Sequence, residues 1–121
     1  MKTKNLYESM RHAFNGIRST TIRERNFRVH IFCAVLAIVA CAVFRVGLLK
    51  FAAVGASIIF VMAMELINTA VEALVDMYCR GKPHPLAKLA KDAAAGAVLL
   101  AAAQALIIGI IVAVSVLRGF F

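Results

Sequence analysis

The sequence predicts an all-α integral membrane protein: one amphipathic helix lying on the membrane surface, followed by three membrane-spanning helices. Three observations carry this expectation. The chain of 121 residues is 63% hydrophobic, with a mean hydropathy of +0.88, whereas soluble domains are apolar over roughly 45–50% of their residues. The apolar residues are gathered into three long blocks, each near the length that crosses a bilayer. The charges, 14 Lys+Arg against 6 Asp+Glu, mostly flank those blocks. The length suits one domain spanning residues 1–121.

The net charge of +8 would point to nucleic acid in a soluble protein. Here the basic residues border apolar blocks, so anionic headgroups and phosphorylated substrates are the expected partners, and nucleic acid is not. No DNA- or RNA-binding signature is present. Cys33, Cys41 and Cys79 form no CxxC pair and read as small packing residues, with neither a disulfide framework nor a zinc site expected. The first long apolar block follows a basic, partly helical segment, which fits a cleaved signal peptide poorly.

Residues 4 to 19, KNLYESMRHAFNGIRS, place Leu6, Met10, Ala13, Phe14 and Ile17 on one helical face and most of Lys4, Glu8, Arg11, Asn15 and Arg18 on the other. That is the pattern of an interfacial helix. A charged junction, TTIRERNFRVH, follows over residues 20–30. The block from Ile31 to Phe44 is uncharged but short for a span, and extending it to residues 29–49, with Arg45 snorkelling, brings it to about 20 residues. The second span is expected over 51–77. CRGKPHP (79–85) reads as a loop broken by Gly81, Pro83 and Pro85. The third span is expected over 91–117, with Gln104 and Ser115 as polar interruptions of its apolar run and an Ala/Gly-rich start, Ala93 to Ala97, that permits close helix approach.

Basic residues set the orientation. Residues 1–28 hold seven and the 78–92 region four, while Arg45, Lys50 and Arg118 make three on the other side. The N-terminus and the 78–92 loop are therefore expected in the cytoplasm, and the C-terminus outside.

The second span carries an anomaly. After the uncharged run FAAVGASIIFVMAM comes ELINTAVEALVD. At about 100° per residue, Glu65, Asn68, Glu72 and Asp76 fall at roughly 0°, 300°, 340° and 20°, a stripe roughly 80° wide. A charged residue within a spanning helix costs roughly 2.5–3.5 kcal/mol on insertion scales, so a stripe of them requires a partner, an ion or a water-filled cleft. Five of the six carboxylates (Glu24, Glu65, Glu72, Asp76 and Asp92) lie in or beside apolar blocks on the expected cytoplasmic side. Arg18, Arg23, Arg25, Arg28, Lys88 and Lys91 gather on that side as well. Hard carboxylate ligands and cations suit Mg²⁺ and phosphates, which are the parts that phosphoryl transfer needs. Neither a GxxxxGK[ST] loop nor a GxGxxG loop is present, so an ATP site here must be built from side chains on helices.

ELINTAVEALVD followed by AKDAAAGAV, with ERNFR (24–28) upstream, resembles the prokaryotic diacylglycerol kinase family of small membrane lipid kinases, and the likeness covers nearly the whole chain. The resemblance implies a homotrimer that transfers phosphate from MgATP to a membrane lipid alcohol. HAFNGI (12–17) and ERNFRVH (24–30) resemble the undecaprenol kinase branch, since the diacylglycerol branch typically carries an acidic residue where this chain has His30. Diacylglycerol is the alternative acceptor. A small cation-coupled transporter is the alternative from another class, although it usually needs more spans and repeats.

The resemblance implies a role for each residue. Glu65 is the catalytic base that takes the lipid hydroxyl proton, and its depth favours that over a structural ion pair. Glu24 and Glu72 are the pair that holds Mg²⁺ against ATP; read alone, Glu24 is equally part of a solvated charge run. Lys91 binds a nucleotide phosphate, with Asp92 positioning it or the ribose, against the simpler readings of an interfacial anchor and a helix N-terminal acid. His12 and His84 border the nucleotide or are incidental. Asn68, one turn from both Glu65 and Glu72, orients a carboxylate, binds a phosphate oxygen or joins helices. Asp76 supports the site or ends the helix. Arg28 and Arg18 touch lipid or phosphate, or simply mark the interface.

Overall fold

The computed structural model describes residues 5–119. Lys4, where the expected surface helix begins, lies outside the described residues. The described residues form four helices: α1 (Leu6–Arg23), α2 (Arg25–Val43), α3 (Leu48–Cys79) and α4 (Pro85–Leu117). The last three are each long and apolar enough to cross a membrane.

α1 starts at Asn5, whose side chain accepts a hydrogen bond from the Glu8 N–H at 2.9 Å, satisfying one of the free N–H groups of the first turn. It runs to Arg23, four residues beyond the expected end, through Thr20 and Thr21, whose hydroxyls donate back to the Gly16 and Ile17 carbonyls. Only Glu24 leaves helical geometry, with φ −107° and ψ 114°. α2 then begins at once, ahead of the expected Val29. Two contacts fix this corner. Phe27 is 1% exposed, and the Arg28 guanidinium donates to the Thr21 and Ile22 carbonyls at 3.0 and 2.8 Å, neutralising the C-terminal end of α1.

The expected first span, 29–49, needs correction at its far end as well. α2 stops at Val43, and Arg45 adopts a left-handed φ of 50° in a turn closed by Gly47 at φ 90°. Arg45 is thus a turn residue, not a snorkelling member of a continuous helix. Starting at Arg25 rather than Val29 keeps the helix at 19 residues, about 28 Å of rise.

α3 has 32 residues and α4 has 33. At about 1.5 Å per residue each is a rod of nearly 50 Å, longer than a hydrocarbon core of about 30 Å. α3 ends at Arg80, left-handed with φ 49°, followed by Gly81 at φ 84°. α4 starts earlier than the expected residue 91. Pro85, expected to break helix, instead occupies the first helical turn, where its missing N–H costs nothing. His84 caps it, its Nδ1 accepting from the Leu86 N–H at 3.1 Å.

α4 packs antiparallel along α3, α2 packs on α3, and α1 touches both α2 and α3. The turn between α2 and α3 carries Val46 into a small apolar core with Cys41, Val54 and Val112. In the middle, Gln104 Nε2 donates to the Ala101 carbonyl at 3.0 Å and reaches the Ser57 carbonyl of α3 at 3.4 Å. A Cβ added at Gly96 would meet nothing within 4 Å, so this glycine does not serve the close approach expected of the Ala/Gly run within one chain. Fewer than one in five residues of the most apolar window of each span are buried by the chain itself. Such surface requires lipid or other protein around it.

Candidate functional site

The alternation of helix direction brings the start of α2, the end of α3 and the start of α4 to one end of the bundle, and the carboxylates collect there. Glu24 sits between α1 and α2 as the N-cap residue of α2, yet its side chain makes no capping hydrogen bond. Its carboxylate instead lines a cavity of about 340 Å³ with Glu72, Asp76, Thr69, Thr20 and Arg23. Two acidic residues far apart in sequence, Glu24 and Glu72, thus line one space. Asp76 completes a third acidic wall.

Glu65 and Asn68 occupy the buried stripe of α3, at 3% and 9% exposure. Glu65 stands about 25 Å along the helix from Leu48, near the boundary of a hydrocarbon core of about 30 Å. Its Oε2 lies 3.7 Å from His30 Nε2 of α2. His30 in turn lines an apolar groove of about 490 Å³ between α2, α3 and α4, with Ala34, Ser57, Met62, Ala105 and Gly109 among its walls. Glu65 itself lines neither this groove nor the acidic cavity; His30 is its contact on the groove side. Two polar atoms on this part of α3, Asn68 Oδ1 and Thr69 Oγ1, are buried with no hydrogen-bond partner. Unpaired buried oxygens are costly and rare, and here they stand beside the stripe.

The other expected nucleotide residues form a second group. His84, Lys88, Lys91 and Asp92 line a cavity of about 570 Å³ with Asp76. Lys91 Nζ is 2.6 Å from Asp76 Oδ1, which joins this group to the acidic cavity. Lys88 pairs with Asp92 at 2.5 Å, one turn away on the same exposed face. His84 spends its Nδ1 on the helix cap, leaving Nε2 for any ligand. His12 lines neither cavity. It lies on α1 about 10 Å of rise before Ser19, which does line the acidic one. Arg28 is committed to the α1 carbonyls.

Three participants escape the sequence reading. Thr69 falls at roughly 40° on the helical wheel that places the carboxylates, so attention to charged residues alone passed over a hydroxyl beside the same stripe. Thr20 sits in the charged junction and had no periodic signal. His30 was noted only for its type; its contact with Glu65 joins two helices and depends on how they pack.

Among the described residues no three His, Cys, Asp or Glu side chains form a metal cage. The donor set nonetheless fits Mg²⁺, which binds through one or two carboxylates and completes its shell with water and substrate phosphates. Glu24 and Glu72 supply hard oxygen donors to a common space, which Thr69 also lines.

Comparison with known proteins bears on the same residues. Residues 11–113 match the model of the prokaryotic diacylglycerol kinase family. The chain belongs to this family. It is 43% identical to a diacylglycerol kinase of Synechocystis over 105 residues, 87% of this chain and 60% of that relative's length. It is also 43% identical to an undecaprenol kinase of Bacillus subtilis over 112 residues, 88% of this chain and 85% of the relative. A diacylglycerol kinase of Escherichia coli is 32% identical over 96 residues, 79% of this chain and 78% of its own. The chain thus spans less than two thirds of the Synechocystis protein and most of the other two. These relatives are lipid kinases by name, and membership in their family, with three spanning-length helices, makes this a membrane protein. The transporter alternative finds no support among them.

Proposed function

We propose that the protein is a MgATP-dependent lipid kinase of the bacterial plasma membrane that phosphorylates undecaprenol at the cytoplasmic face. The observation that carries the reading is the meeting of Glu24 and Glu72 in one cavity, with buried Glu65 two turns above Glu72 and beside His30 of the apolar groove. A lipid hydroxyl comes from the bilayer and ATP from water, so the reaction belongs at that boundary. Undecaprenol is favoured over diacylglycerol by His30 and its flanking ERNFRVH, and by the fuller overlap with the Bacillus relative.

In this reading Glu65 accepts the proton of the lipid hydroxyl as its oxygen forms a bond to the γ-phosphorus. Glu24 and Glu72 hold the metal side of the nucleotide, and Mg²⁺ supplies the positive charge without which two carboxylates would repel a triphosphate. Lys91 reaches phosphate after exchanging its Asp76 partner, Asp92 and His84 Nε2 border the nucleotide, and Asn68 steadies Glu65. A role for His12 requires a second copy or a shift of α1, and Arg28 supports by fixing the corner that presents Glu24. α1 lies on the membrane surface, an assignment supported by exposed Leu6, Met10, Phe14 and Ile17. The homotrimer is supported by the wide apolar surface that one chain leaves uncovered.

The test is transfer of radiolabelled phosphate from ATP to undecaprenol or diacylglycerol by the purified protein in mixed micelles. Label in undecaprenyl phosphate supports the reading. Label only in phosphatidic acid keeps the kinase and replaces the acceptor, and label in neither lipid overturns the proposal.

A further inference from the structure

His30 has no task in the chemistry described so far, yet it holds a singular place. Among the described residues it is the one ionisable side chain besides Cys33 that lines the apolar groove, and it is the cation-forming group that faces Glu65, with Nε2 3.7 Å from Oε2. Its side chain keeps 25% of its surface exposed while that of Glu65 keeps 4%. A carboxylate so enclosed can take a proton from a substrate but has no direct route for returning it to water. One residue, Val29, lies between His30 and Arg28, whose guanidinium already reaches the α1 carbonyls at the charged junction. The imidazole, with a quarter of its surface open, is therefore the group through which the enclosed carboxylate can pass a proton outward.

We infer that His30 is the positioning residue and proton outlet of Glu65, an inference that rests on Glu65 being the base. As the lipid oxygen bonds to the γ-phosphorus, the bond from that phosphorus to the β–γ bridging oxygen breaks and ADP leaves with the electron pair. The hydroxyl proton passes to Glu65. It then moves to His30 Nε2, the imidazolium releases the proton on Nδ1 to water, and tautomer exchange through water or a ring flip returns a free nitrogen lone pair to face Glu65, which restores both groups for the next turnover. A separation of 3.7 Å is longer than a hydrogen bond, but such contacts commonly tighten only when substrate fills the site. Facing His30 are Glu65 from α3 and Cys33 from its own helix; Glu24 and Glu72 act on Glu65 from farther off. α4 contributes no titratable group to the groove.

The experiment measures kcat and both KM values against pH for the full-length protein in micelles, for wild type, His30→Gln, His30→Ala and Glu65→Gln, with nucleotide binding as a check on folding. His30→Ala should lose about 10²-fold in kcat, the lower range for a proton-transfer group, with KM for ATP and lipid within about threefold. Added imidazole should restore part of that loss in proportion to its concentration and should not restore Glu65→Gln. His30→Gln, which keeps a donor near the carboxylate but cannot carry a proton, should fall between wild type and His30→Ala. The inference is overturned if His30→Ala keeps kcat within threefold of wild type, or if imidazole leaves its kcat unchanged while nucleotide still binds. An active Glu65→Gln would instead remove the base assignment itself, so the two failures are distinguishable.

Discussion

The two ends of this bundle are built on opposite principles. At the α2–α3 turn, Cys41, Val46, Val54 and Val112 close an apolar core, and the cavity beside it, lined by Ala37, Phe44 and Leu117 among others, contains no charged side chain. At the other end, Glu24, Glu72 and Asp76 face one cavity, Glu65 is nearly enclosed, and the oxygens of Asn68 and Thr69 are buried without partners. The first end is satisfied by its own chain. The second gathers like charges and leaves buried oxygens unpaired, an arrangement that opposes folding and makes sense as a receptor for cations and phosphates. Activity and stability should therefore respond to substitution in opposite ways at the two ends.

The largest effect is expected at the deepest group. Glu65→Gln should reduce phosphoryl transfer by about 10²–10⁴-fold, the range for a lost general base, while nucleotide affinity stays within about threefold. Residual turnover above about a tenth of wild type would remove Glu65 from that role. Next come the unpartnered oxygens. Thr69→Val keeps the shape and deletes a buried hydroxyl that has no hydrogen bond, so it should lower turnover about tenfold while leaving stability unchanged or raised by up to ~1–3 kcal/mol, the range of the relieved desolvation cost. A matched loss of stability and activity, read by thermal unfolding in detergent beside the transfer assay, would mean that the hydroxyl is structural. The smallest effect on activity belongs to the far end. Val54→Ala should cost about 1–3 kcal/mol of stability through lost packing and leave kcat within twofold. A large fall in kcat there would show that the two ends are coupled more tightly than their separation implies.

Much of this contrast was legible in the sequence. The stripe of Glu65, Asn68, Glu72 and Asp76 follows from helical periodicity alone, because one helix carries it. Glu24 was harder, since ERNFR reads as a solvated run until the corner at Glu24 turns its carboxylate toward α3. The limits of the spans shifted for identifiable reasons. Pro85 starts a helix as readily as it ends one, and Arg45 can adopt the left-handed turn that ends α2 early. The pairings of His30 with Glu65 and of Lys91 with Asp76 join separate helices, so they depend on interhelical register, which local periodicity does not specify. His12 remains apart from both cavities.

The central claim is that Glu24 and Glu72, from different elements, serve one Mg²⁺ ion beside ATP. It is tested most directly by titrating Mg²⁺ in the ATP-dependent phosphorylation of undecaprenol by wild type, Glu24→Ala, Glu72→Ala and the double variant. Each single substitution should raise the Mg²⁺ requirement at least tenfold or abolish turnover, and the double variant should be little worse than the poorer single, since residues that act as a unit are not additive. A Glu24→Ala protein that titrates like wild type, or a double variant whose loss is the product of the two single losses, would contradict the account.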